Sequence, residues 1–194
     1  MARDRASRPE AKPLRLFVAV DVPEPILEAV RDAVQPLRER FPRARWVPTA
    51  NQHLTLKFLG GTYPRLVEWV TTSVRAVAAA HEPFEAAVGG LGAFPNGRRA
   101  RVLWAGLDDP GSRFGRLAAG LDDALAREFD PEKRPFTPHL TVARFDPTVD
   151  VGDLPGALGL GRERFSVDRL VLYRSHLRRP APVYEVLETF PLGP

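Results

Sequence analysis

The sequence predicts an α+β protein built on antiparallel strands, and three features of its 194 residues carry the prediction. Short apolar runs rich in β-branched and aromatic residues recur along the chain, and between some of them apolar residues repeat at helical spacing. The two kinds of segment do not alternate strictly, which disfavours a doubly wound parallel sheet. No long linker divides the chain, so residues 13–194 are expected to form one domain behind a charged, disordered tail over 1–12.

Leu14 to Val20 (LRLFVAV) is an apolar run with β-branched residues and reads as a buried strand. Pro23 and Pro25 open a helix with Ile26, Val30, Val34 and Leu37 on one face. Pro36 should end or kink it, because its ring removes a helix hydrogen bond and crowds the preceding turn. Trp46 to Pro48 bridge into a second strand, Leu54 to Leu59, closed by Gly60 and Gly61. Leu66, Trp69, Val70, Val74 and Val77 predict an amphipathic helix over 64–80. Phe84–Val88 and Arg101–Leu107 read as strands on either side of a turn at Pro95-Asn96-Gly97. Phe114, Leu117, Leu121, Leu125 and Phe129 mark a third helix, and Thr137 to Arg144 another strand. A Gly/Pro-rich loop near 150–161 leads to two closing strands, about 165–174 and 182–190.

Composition narrows the function classes. Hydrophobic content of 44% and charged content of 27% fit a soluble globular chain. No run of 18 apolar residues is present and the N-terminus lacks a signal-type apolar core, so no membrane association and a cytoplasmic location are expected. The absence of cysteine excludes disulfides, thiolate zinc sites and a thiol nucleophile. A net charge of +4 is compatible with a phosphorylated or nucleic-acid partner without selecting one. No P-loop lysine motif and no G-x-S-x-G occur, which argues against an ATP-driven ligase or a serine hydrolase.

One internal echo carries chemistry. His53-Leu54-Thr55-Leu56 recurs as His139-Leu140-Thr141-Val142, each on a strand-like segment. Side chains alternate faces along a strand, so each motif presents one imidazole and one hydroxyl together. Brought together, the two motifs would surround a cavity with two imidazoles and two hydroxyls. Imidazole gives or takes a proton near neutrality, so one could activate water while the other protonates a leaving oxygen. The hydroxyls could donate to phosphate oxygens. H-x-T alone is a weak pattern, and a single strand histidine is commonly structural. Two of the chain's four histidines falling in one repeated pattern points to a paired catalytic role.

These motifs, with RLFVAVDVP, RWVPTANQHLTLKFLG, LGAFPNGRRARVLWAGL, RPFTPHLTVAR and the closing VLYRSHL and YEVL, resemble the two-histidine (2H) phosphoesterase superfamily and, within it, the RNA 2′,3′-cyclic phosphodiesterases, formerly called 2′-5′ RNA ligases. The resemblance runs from about Leu14 to the C-terminus. It implies a bilobal fold of two α+β lobes about a pseudo-twofold axis, with antiparallel sheets lining a central groove. It implies that His53 donates a proton, His139 accepts one from water, and Thr55 and Thr141 hold the phosphate, leaving a 2′-phosphomonoester. Arg144 matches an arginine closing the second motif and would attract phosphate, although strict alternation turns it away from His139, so a strand end or bulge is needed there. No metal and no cofactor are implied. The implied partner is RNA ending in a 2′,3′-cyclic phosphate, tRNA fragments and small cyclic nucleotides being substrates of relatives, and a monomer is expected. Reverse operation would make a weak ATP-independent 2′-5′ ligase, a side reaction in water.

Two other classes remain open at this level: an RNA-binding module without turnover, and a metal-dependent hydrolase using both histidines as ligands. Neither motif carries an Asp or Glu to complete a metal site. By parity Lys57 shares the histidine face as a phosphate neighbour, and Phe58, which could pack near a base, belongs instead with Leu54 and Leu56 in the core. His81 is expected at a helix C-terminus and His176 in a structural or edge role. Arg98, Arg99 and Arg101 read as a solvated turn that could guide RNA only if it flanks the groove. Gly156 to Gly161 lacks the order and context of a nucleotide-binding loop.

Overall fold

The computed structural model describes residues 12–109, 111–152, 154 and 164–194. The expected tail (all but Lys12) and the Gly156–Gly161 loop lie outside them. In chain order the elements are β1 (Leu14–Val20), α1 (Glu24–Ala33), α2 (Gln35–Arg40), β2 (Arg45–Trp46), β3 (Leu54–Thr62), α3 (Val67–Ala79), β4 (Phe84–Phe94), β5 (Ala100–Asp108), α4 (Arg113–Leu125), β6 (His139–Val149), β7 (Arg164–Val167), β8 (Arg169–His176) and β9 (Val183–Pro191).

The strands form one antiparallel sheet ordered β7-β4-β5-β6-β3-β1-β8-β9, with the two-residue β2 beside β6. The order divides into two halves that meet at β6 and β3. From edge to seam one half runs β7, β4, β5, β6 and the other β9, β8, β1, β3, so each ends on a strand carrying one histidine motif. The ladder crosses the seam at a single residue pair, Leu54 opposite Leu140. Both leucines are fully buried, and burial of such a side chain is worth about 1.5–3 kcal/mol.

One face of the sheet is covered by helices. Ile26, Leu27 and Val30 of α1, Val70, Val74 and Val77 of α3, and Phe114, Leu117 and Leu121 of α4 join Leu54, Leu103, Leu140 and Leu172 in one core. α3 packs on β8 and β9, and α4 on β3 and α3. The helical spacing of these residues is the cause of the layer, because it gives each helix one apolar stripe to bury.

Several boundaries depart from the sequence reading. The first helix breaks at Val34, and Pro36 sits in the first turn of α2, where a missing N–H costs nothing. β3 continues through Gly60 and Gly61 to Thr62; the glycines do not close it. A register shift lies beside Gly60, whose φ of +61° suits a residue without a Cβ. The α4 helix stops at Leu125, yet Phe129 still packs, its ring stacked on Trp69 at 6.3 Å. The strand expected at 165–174 is two strands: β7 pairs with β4 in one half, β8 with β1 in the other, and Asp168 separates them. Hydropathy reads through that break because both sides are apolar.

Candidate active site

The histidine motifs occupy equivalent places on the seam strands, and both contain the same irregularity. Along β3 the register passes from Ala19 opposite Thr55 to Val18 opposite Lys57, leaving Leu56 unpaired. Along β6 it passes from Trp104 opposite Thr141 to Leu103 opposite Ala143, leaving Val142 unpaired. Each bulge places two successive side chains on the core side and reverses the parity beyond it. Arg144 is therefore returned to the histidine face, as its sequence assignment requires, and is exposed there.

The same bulge corrects the reading of Lys57 and Phe58. Lys57 is only 5% exposed and points to the helices, where its ammonium pairs with Asp122 of α4 and donates to the Asp130 carbonyl at 2.7 Å. It is not a phosphate neighbour. Phe58 is 68% exposed, on the histidine face rather than in the core. Phe58 and Arg144 thus hold equivalent positions in the two halves.

Strand pairing brings both histidines and both threonines to one face at the seam. His139 Nδ1 lies 2.7 Å from the Thr137 carbonyl oxygen. A carbonyl only accepts, so Nδ1 carries the hydrogen and Nε2 of the neutral ring keeps its lone pair. The Asn51 backbone, again two residues back, favours the protonated form of His53. Thr55 and Thr141 are half-buried, and neither hydroxyl has a partner among the described residues.

The two imidazoles have different surroundings. His53 stacks on Phe17 (centroids 4.7 Å, 24°), lies near-parallel to Tyr173 at 6.1 Å and meets the edge of Tyr184 at 5.1 Å. The Tyr173 hydroxyl donates to Asp21 at 2.7 Å, and burial with this bond pushes the phenol well above its ordinary range. Burial pushes His53 down to about 4; the Asp21 carboxylate opposes this shift, and the charge of His139 adds to it. His139 meets the edge of Phe94 at 5.2 Å and lies 6.1 Å from Trp104. Burial also lowers its pKa, and the Arg144 guanidinium lowers it further. A Cβ on Gly92 would fall 2.1 Å from the Trp104 ring, so only glycine there lets the indole lie against β4.

Phe17, Asp21, Phe94, Trp104, Tyr173 and Tyr184 are site residues that sequence reasoning does not assign. Phe17 lies inside a uniformly apolar run in which facing is not legible, and the tyrosines come from the far end of the chain. The remaining candidates lie elsewhere. His81 follows α3 with Nδ1 2.8 Å from the Val77 carbonyl oxygen, as expected at a helix end. His176 pairs with Glu185 across β8 and β9. Arg98 and Arg99 are exposed in the short 3₁₀ turn before β5. Among the described residues no three His, Asp or Glu side chains converge as a metal-ligand set, and no helix is long and apolar enough to cross a membrane.

Comparison with known proteins agrees with this fold. A family model described as the 2'-5' RNA ligase superfamily matches residues 22–179. The RNA 2',3'-cyclic phosphodiesterase of Methanothermobacter thermautotrophicus is 33% identical over 92% of this chain and 99% of its own length. The enzyme of the same name from Thermus thermophilus is 37% identical over 92% of this chain and 90% of its own. Among solved structures, TT0787 of Thermus thermophilus superposes with a TM-score of 0.77 at 33% identity, covering 92% of this chain and 98% of that one. E. coli LigT complexed with 3'-AMP superposes at 0.76 with 27% identity, covering 93% and 98%. With a family model spanning most of its length and two matched histidine motifs at the seam of its sheet, the chain belongs to the 2'-5' RNA ligase superfamily.

Proposed function

We propose that the protein hydrolyses 2′,3′-cyclic phosphodiester ends of RNA to 2′-phosphomonoesters with His53 and His139 as its acid–base pair. The observation that carries this reading is the meeting of two H-x-T motifs across the Leu54–Leu140 pair, with the His139 imidazole held at Nδ1 by the Thr137 carbonyl so that its Nε2 is free. Neutral His139 takes a proton from water as its oxygen bonds to phosphorus. The bond from phosphorus to O3′ breaks, and protonated His53 supplies the proton that O3′ gains. Thr55 and Thr141 donate to the nonbridging oxygens, and Arg144 adds a guanidinium. Each acid–base role is worth about 10²–10⁴-fold in rate.

The neighbours of the two rings support the division of roles. Asp21 favours the charged form of His53, whereas Arg144 disfavours charge on His139. Burial favours the neutral form of His53, and the charge of a bound anionic substrate offsets the lost hydration, so that His53 takes its proton from solvent as the substrate binds. Run backwards, the same site would join a cyclic phosphate to a 5′-hydroxyl without ATP, in competition with water. No metal is required by this scheme.

The test is turnover of an RNA oligonucleotide ending in a 2′,3′-cyclic phosphate, in excess EDTA, with the product phosphate located. The parent protein is expected to form the 2′-phosphate, and His53→Ala and His139→Ala to lose at least about 10²-fold. Activity abolished by EDTA, or retained in either variant, refutes the mechanism.

A further inference from the structure

Arg45 and Arg144 stand directly opposite each other on β2 and β6. Directly opposed residues of an antiparallel pair share a face, with Cβ atoms about 4.5–5.5 Å apart. Their neighbours, Trp46 and Ala143, face the core together, so both arginines lie on the histidine face. Both are exposed, and neither has a carboxylate partner among the described residues. Like charges placed directly opposite destabilise a sheet, and among the described residues no anion relieves them. Arg144 is near enough to repel charge on His139. Arg45 is rooted one strand to the side, on the chain that leads into the first motif.

The His–Thr rows can enclose one phosphate, the reacting one, and Arg144 serves it. We propose that Arg45 binds a second phosphate: the internucleotide phosphodiester that joins the terminal, cyclic-phosphate nucleotide to its 5′ neighbour. This rests on the cyclic-phosphate reading of the site and narrows it. The substrate is an oligonucleotide of at least two residues, and a mononucleotide cyclic phosphate leaves Arg45 unused. Arg45 is a binding residue in this scheme and takes no part in the proton transfers.

The test compares a dinucleotide bearing a 2′,3′-cyclic end, the same dinucleotide with an uncharged methylphosphonate linkage, and a mononucleotide 2′,3′-cyclic phosphate. Arg45→Gln is expected to raise KM for the dinucleotide about tenfold, with kcat within about twofold and the mononucleotide unaffected. The methylphosphonate should cost the parent protein a similar factor and Arg45→Gln nothing. Affinity for a dinucleotide ending in a 2′-phosphate, measured against salt, should show a log–log slope about 0.7 shallower in the variant. That readout needs no turnover, so a protein that hydrolyses nothing sinks the cyclic-phosphate reading while the slope still decides the role of Arg45. Equal effects of Arg45→Gln on mononucleotide and dinucleotide, or no effect on either, overturn the proposal. Should the variant not fold, the methylphosphonate arm on the parent decides alone: no loss of affinity rejects a second phosphate site.

Discussion

Acidification tests how strongly the fold excludes charge from His53. Burial lowers this imidazole from 6.5 to about 4. Between those values the unfolded chain binds a proton that the native state refuses, so stability rises with pH across that window and falls on acidification. At about 1.4 kcal/mol per pKa unit the full penalty is about 3.5 kcal/mol, of which about 2.5 is present by pH 4.5 and almost none at pH 7. His53→Gln keeps a planar polar side chain but cannot titrate. Its absolute stability will differ from the parent because the stack on Phe17 changes, so the informative quantity is the loss between pH 7 and pH 4.5. Urea unfolding followed by tryptophan fluorescence at both pH values gives that loss for each protein. The parent should lose about 2.5 kcal/mol more than the variant; acid sensitivity from His139 is common to both and cancels. Losses equal within about 0.5 kcal/mol would refute the claim that burial holds His53 neutral.

Two further outcomes follow from the site. Thr55→Val and Thr141→Val should fold like the parent and lose at least about tenfold in kcat/KM, from hydrogen bonds to a charged group worth about 1.5–3 kcal/mol each; losses below about threefold for both remove the hydroxyls from the site. Lys57→Met leaves Asp122 without its cation and should cost about 3 kcal/mol in urea unfolding, whereas Lys57→Met with Asp122→Leu should recover most of that loss. A single variant as stable as the parent would show that the pair contributes nothing.

Much of this arrangement is legible in the sequence where a period is long and unbroken. The helices are set by apolar stripes such as Phe114, Leu117 and Leu121, and the repeated H-x-T strands are visible because each keeps strict alternation over four residues. Legibility stops at the bulges. Parity puts Lys57 with His53 and Phe58 with Leu56, and one unpaired residue reverses both placements. Nothing in local hydropathy marks it, since Leu56 and Phe58 are equally apolar. Arg144 is legible as a conflict: its assignment to the site violates alternation, and the bulge at Val142 resolves it. The aromatic surround of His53 is not legible, because Phe17, Tyr173 and Tyr184 converge through pairing between strands far apart in sequence.

The single-pair seam has a mechanical consequence. Within each half, neighbouring strands share many rungs, and sliding one past another would break several hydrogen bonds at once. Between β3 and β6 only Leu54 and Leu140 are in register among the described residues, and each is one residue from a histidine. The strand ladder is therefore thinnest beside the imidazoles, and the halves are joined there largely by side-chain packing, with α4 lying against β3 and α3. Lys57 adds a buried tie across that seam, anchored in β3 and held by Asp122 of α4 and by the Asp130 carbonyl.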